Sequence, residues 1–316
     1  MKKLVIFAAA CLLASSAFAA AKTAAKTAKK EEAKPTIEFV VVESEDYASG
    51  KQDPQLAPGL ANFLGGEAKV TAMTYEQAQQ DPKLANLDYS FLPLYVIKKT
   101  PELRTKLEQQ INAGFVQEND DYLIFPHLTR TGVYREKEAK PGVLEVFVMS
   151  QCPFGAMAEN LIIQAQKDGK IPADKEIKLR YVVSYNPETG FQSLHGSAEW
   201  EENIRQLLIA KYYPEKFWKY LEIRNKDYRS SRWDKAMDEA GINAKKIMKK
   251  FDTEGVELLK EEAAYGQEYS VNASPTFLWE GKEVLDFGSV AQKPGLEFLN
   301  PSLAQQGGAA APAGSC

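Results

Sequence analysis

Two short segments carry the residue types most able to do chemistry. In the first, Val143-Leu-Glu-Val-Phe-Val-Met-Ser-Gln-Cys-Pro-Phe-Gly155, a strand-like apolar run leads into Cys152, and Pro153 then opens a helix. A thiol at such a junction sees the positive end of the helix dipole and unsatisfied backbone N–H groups. Both favour the thiolate, the form that attacks disulfides. Pro153 suits a first helical turn because it has no N–H to leave unpaired. Gly155 is expected to leave room beside the sulfur. In the second segment, Ala273-Ser-Pro-Thr-Phe-Leu-Trp279, Pro275 opens another strand. The bland alternatives are a cysteine acting as a small buried apolar filler and a proline that merely starts a strand.

Cysteine use narrows the chemistry further. The chain of 316 residues has 3 cysteines, Cys11, Cys152 and Cys316. Lys2 and Lys3, a short apolar run over 4–14, and Ala17-Phe18-Ala19 read as a signal peptide over 1–19, whose removal takes Cys11 with it. An exported, periplasmic protein is expected, with full secretion as the alternative. Two remaining cysteines are too few for a disulfide framework. No ligand spacing links His127 or His195 to a cysteine, so no metal site and no organic cofactor is expected. A net charge of −4 gives no case for nucleic acid. No later apolar run is long enough for a stable membrane span.

The elements that must position these residues follow from patterning. Residues 20–35 form an Ala-, Lys- and Thr-rich linker. From there the pattern is β/α: strands at 37–42, 69–75, 92–97 and 122–125, with helices at 56–64 and 101–113. A charged connector over 135–141 marks the boundary between a cysteine-free domain over 36–138 and a second domain over 139–302. The second begins with a strand at 143–149, a helix at 157–169 and a strand at 176–183. Helices follow at 198–212, 214–224, 232–240, 244–251 and 254–269, then a hairpin of 276–279 with 283–287. The tail, 303–316, is low-complexity.

The strand–Cys–helix unit and the distant proline resemble the active-site half of the thioredoxin-like superfamily. The long helical stretch between them resembles the insert of the DsbA-like oxidoreductases. The run Ser193-Leu-His195-Gly196-Ser-Ala-Glu199-Trp-Glu-Glu-Asn203 is similar to the signature of the GILT family of thiol reductases, C-Q-H-G-x-x-E-C-x-x-N followed by a further cysteine. His195, Gly196, Glu199 and Asn203 match. Ser193, Leu194, Trp200 and Leu208 stand where the signature has its three cysteines and its glutamine. Gly155 replaces the second active-site cysteine, giving C-P-F-G for C-x-x-C. The resemblance implies an α/β fold with a thioredoxin-like second domain carrying an inserted helical subdomain. The first domain reads either as a second thioredoxin-like domain or as an unrelated small α/β module. The resemblance also implies that Pro275 is cis against the sulfur and that the backbone of Ser274 pairs with an extended peptide.

The function expected is that of a periplasmic thiol–disulfide oxidoreductase acting through Cys152 on protein disulfides or mixed disulfides with small thiols. The competing reading is a peptide-binding, chaperone-like relative that has kept the fold and lost turnover. A lone thiol forms a mixed disulfide and waits for a second thiol: a small glutathione-like one, a redox partner protein, or Cys316. The tail has a random-coil reach of roughly 20 Å, so Cys316 is either a tethered resolving thiol or an incidental cysteine. His195 is either an acid–base group or a loop histidine that satisfies backbone groups.

Overall fold

The structure, a computed structural model, describes residues 34–302. The expected signal peptide, nearly all of the 20–35 linker, and the tail with Cys316 lie outside the described residues.

The first half contains β1 (Thr36–Glu43), α1 (Leu56–Phe63), β2 (Glu67–Thr74), α2 (Tyr75–Gln80), β3 (Phe91–Leu92), β4 (Leu94–Lys98), α3 (Pro101–Lys106), α4 (Glu108–Asn112), β5 (Gln117–Glu118), β6 (Tyr122–Phe125) and β7 (Gly132–Tyr134). The single helix expected over 101–113 is two, parted at Leu107, whose φ and ψ of −102° and 8° leave the helical region. The break buries both Leu103 and Leu107 against the sheet. Helix α2 was not expected. Its start is a capping box: Thr74 Oγ1 accepts from Gln77 N–H at 3.3 Å, and Gln77 Oε1 accepts from Thr74 N–H at 2.9 Å.

The second half contains β8 (Val143–Val148), α5 (Pro153–Lys167), β9 (Glu176–Tyr181), β10 (Ser184–Asn186), β11 (Gly190–Gln192), α6 (Ser197–Tyr212), α7 (Pro214–Arg224), α8 (Trp233–Ala240), α9 (Ala244–Met248), α10 (Val256–Glu268), β12 (Thr276–Trp279), β13 (Glu283–Leu285) and α11 (Phe287–Val290). Helix α5 starts at Pro153, where the proline after Cys152 opens it, so the range 157–169 read for its body begins a turn late. The β10–β11 hairpin is too short and polar for its strands to show in the sequence.

One sheet has the order β2-β1-β4-β6-β5 and a second β3-β7-β13-β12-β8-β9. In the second, β8 pairs parallel with β9, and β12 lies antiparallel to both β8 and β13. In the first, β1 pairs parallel with β2, and β4 lies antiparallel to both β1 and β6. The two halves thus share the strand order and orientations of a thioredoxin-like core, each with a helix crossing between its parallel strands. A cis X-Pro bond precedes each third strand, Leu92–Pro93 before β4 and Ser274–Pro275 before β12. In the second half, α6 to α10 form the helical insert between β9 and β12.

The halves are not separate bodies: everything described from Pro35 onward belongs to one compact unit. Strand β7, which patterning leaves in the first domain, pairs with β13 at Val133↔Glu283, and β3 pairs with β7. Ser49 Oγ donates to Glu283 Oε2 at 2.8 Å in the buried seam.

Candidate functional site

Register builds the site. Strand β8 is buried on both faces, and Phe147 sits opposite Thr276 of β12. The turn after β8, Met149 to Cys152, therefore lies beside the Ser274–Pro275 segment that leads into β12. Met149 N–H donates to Ser274 Oγ at 2.9 Å. Cys152 N–H donates to Met149 O at 2.9 Å and closes the turn. Cys152 is then the N-cap of α5, with extended backbone (φ −86°, ψ 126°), and Pro153 is the first helical residue.

Cys152 is wholly buried, and its Sγ lies 3.5 Å from Ser274 O. It is disulfide-bonded. The other cysteines of the sequence, Cys11 and Cys316, are outside the described residues. The sulfur belongs to a buried cluster that includes Met149, Phe147, Val182 and Tyr269, together with Phe91 and Tyr134 from the first half. The first half therefore helps to form the packing behind the sulfur.

Gly155 is buried, and the space around it is already filled. A Cβ there would meet Ser274 Oγ at 2.8 Å, Met149 O at 3.1 Å and Val148 Cβ at 3.3 Å. What this glycine permits is the close approach of α5 to the Ser274 segment, not open room beside the sulfur. A second cysteine would displace Ser274 from Met149 N–H.

The far side of the turn is held by the loop that starts α6. Gly196, its N-cap, has φ 86° and ψ −163°, a backbone conformation that glycine adopts far more readily than any other residue. It brings Glu199, in the first turn of α6, under the turn. Glu199 is wholly buried. Its Oε2 accepts from Gln151 N–H at 3.2 Å and lies 2.6 Å from His195 Nδ1, where the ring N–H donates to the carboxylate. The main-chain carbonyl of Glu199 accepts from Ser150 Oγ at 3.1 Å. Among the described residues, His195 is hydrogen-bonded to Glu199, which itself holds the turn.

Behind α5 lies a polar interior that sequence patterning did not single out. Glu159 is buried on α5, and burial pushes its carboxyl up to about 7. Its Oε2 accepts from Asn225 at 2.8 Å. Its Oε1 has no protein partner among the described residues, nor has the hydroxyl of buried Tyr181. The signal was in the spacing: Cys152, Gly155, Ala156, Glu159, Ile162 and Ile163 fall on one helical face, so the carboxylate lands on the buried side.

Among the described residues, no group of His, Cys, Asp and Glu could hold a metal ion, and no helix is long and apolar enough to cross a membrane.

No family model matches the chain, and no curated protein matches it in sequence. Solved structures similar to part of it include the DsbA disulfide interchange protein of Klebsiella pneumoniae, 17% identical over 54% of this chain and 89% of that one, with a TM-score of 0.37. Oxidised BdbD of Bacillus subtilis is 14% identical over 54% of this chain and 91% of that one, with a TM-score of 0.39. DsbA of Pseudomonas aeruginosa is 14% identical over 56% of this chain and 88% of that one, with a TM-score of 0.39.

Proposed function

We propose that this chain is an exported, periplasmic thiol–disulfide oxidoreductase that works through Cys152. One observation carries the reading: a cysteine at the head of a helix, engaged in a disulfide, with its sulfur 3.5 Å from the carbonyl of Ser274, just before Pro275. In the reducing direction, the Cys152 thiolate attacks one sulfur of a substrate disulfide. A bond forms from Cys152 to that sulfur, the substrate S–S bond breaks, and the released sulfur leaves as a thiolate that takes up a proton. A second thiolate then attacks the Cys152 sulfur and frees the substrate's remaining thiol. Two electrons pass from two thiols to one disulfide, and the same steps reversed oxidise a substrate dithiol.

We assign the second thiol to Cys316. Signal removal takes Cys11 away, and the tail is long enough to reach the site. Ser274 and Pro275 shape the wall against which an extended peptide would lie, and Pro153 sets the start of α5. The substrates are proteins or peptides with thiols or disulfides. No cofactor enters the exchange.

The test is peptide mapping of aerobically purified mature protein without reduction, followed by alkylation of the reduced protein across pH. The expected result is a Cys152–Cys316 crosslinked peptide and a Cys152 thiol pKa well below the ordinary free-thiol value of about 8.5. Two free thiols in the aerobic protein would remove Cys316 from the mechanism. An ordinary or raised Cys152 pKa would favour the peptide-binding reading, which the complete burial of Cys152 supports.

A further inference from the structure

We propose that Glu199 is a positioning residue for Cys152, holding the Ser150–Gln151 turn so that the sulfur faces Ser274; this rests on the exchange function proposed above. The Met149–Cys152 turn is gripped from two sides. Ser274 takes its first N–H, and Glu199 takes the N–H of Gln151, the residue immediately before the cysteine. Glu199 grips a second time through its main-chain carbonyl, which accepts from Ser150 Oγ.

A carboxyl group with no exposure to water is costly unless its polar atoms are hydrogen-bonded. No Lys or Arg pairs with Glu199 among the described residues. Its engaged neighbours are His195 Nδ1 and Gln151 N–H, with His195 N–H more distant at 3.4 Å. The helix N-terminus adds to its stabilisation, because Glu199 sits in the first turn of α6. This arrangement commits a wholly buried side chain to holding the Gln151 N–H. The N–H it fixes adjoins the nucleophile, and the opposite grip comes from the residue that contacts the sulfur. The consequence is that the thiolate is presented in one orientation, with Ser274 O on one side and α5 on the other.

The experiment is the second-order rate of the reduced mature protein with a small aromatic disulfide at pH 7, for wild type, Glu199→Ala, Glu199→Gln and Ser150→Ala. Far-UV circular dichroism and urea unfolding report on the fold. Glu199→Ala is expected to slow exchange at least tenfold, because the turn loses its grip. Glu199→Gln, whose amide oxygen still accepts from Gln151 N–H, is expected within about threefold of wild type. Ser150→Ala, which loses only the hydroxyl–carbonyl bond, is expected to slow exchange by about threefold.

Folded Glu199→Ala reacting as fast as wild type overturns the proposal. So does folded Glu199→Gln as slow as Glu199→Ala. If Glu199→Ala fails to fold, an unchanged rate in Ser150→Ala overturns it. A wild type that exchanges no disulfide at all defeats the proposed function itself, an outcome distinct from active wild type with indifferent variants.

Discussion

Glu159 shows how one side chain couples the interior of this protein to pH. It lies two helical turns beyond Cys152 on α5, and its folded carboxyl titrates at about 7 against an ordinary value of 4.5. Burial is the main cause, opposed by the Asn225 amide and reinforced by the nearby Glu202 charge. The folded state therefore holds a proton on Glu159 that the unfolded chain releases between about pH 4.5 and 7. Stability from this group is complete below that window and declines as pH rises through it. Glu159→Gln keeps an acceptor for Asn225 and cannot ionise. It is expected to be more stable than wild type at pH 8 by about 2–3 kcal/mol and nearly equal to it at pH 4. Urea unfolding at the two pH values measures this, and equal differences at both would refute it. The position of Cys152 at a helix start, with the Ser274–Pro275 segment leading into a strand, was legible in the sequence because cysteine, proline and helix start are local features. The pairing of Gln151 with Glu199 was not, because it joins residues on separate elements across a loop.

At the scale of elements, the helical insert is held by a buried charge cluster rather than by apolar packing alone. Glu202 of α6 accepts from Arg205 Nε at 2.8 Å, from Arg224 Nε of α7 at 3.1 Å and from Tyr220 OH at 2.8 Å. Burial by itself would raise the Glu202 carboxyl, yet Arg224 and Arg205 hold it below its ordinary value. Arg224 also donates to the carbonyls of Asp227 and Tyr228, each at 3.2 Å, and so fixes the chain as it leaves α7. Arg224→Ala would leave a buried carboxylate short of a partner and two carbonyls without their donor. The expected loss is about 3–5 kcal/mol in urea unfolding, and a loss below about 1 kcal/mol would show that water replaces the guanidinium freely. The spacing of Trp200, Ile204, Leu207, Leu208 and Tyr212 announced α6 as a helix, and Ile204 and Leu208 are indeed core. The same pattern concealed the opposite stripe, Glu199, Glu202, Asn203 and Gln206, which is equally buried. Polar residues at helical spacing read as a solvated face, and only the packing of α7 and α10 onto α6 reveals a polar interior.

At the scale of the whole molecule, the two thioredoxin-like halves are joined by backbone pairing, which makes the first half part of the second half's sheet. Strand β13 is flanked by β12 on one side and β7 on the other. Glu283 on that strand also accepts from Ser49 Oγ and pairs with Lys293 at 2.6 Å. Nothing local announces β7: it is three residues long, begins with glycine, and owes its place to a partner about 150 residues away. A boundary drawn at 138–139 from charge and glycine content severs β7 from the sheet of the second half to which it belongs. A fragment of 139–302 alone would expose the edge of β13 and the side of Leu278, Val284 and Phe147 that packs on Phe91 and Tyr134. Such an edge invites pairing with another chain. The fragment is expected to self-associate in sedimentation at micromolar concentration, whereas the mature protein should not do so through this edge. In the full chain all 4 tryptophans, Trp200, Trp218, Trp233 and Trp279, lie in the second half, so their fluorescence reports that half alone. Hydrogen exchange at the amides of β1 reports the other. With a shared sheet the two probes should give one common unfolding midpoint in urea. A β1 transition well separated from the tryptophan transition would mean that the β7–β13 seam opens before either core melts, and that the halves are joined more loosely than their pairing implies.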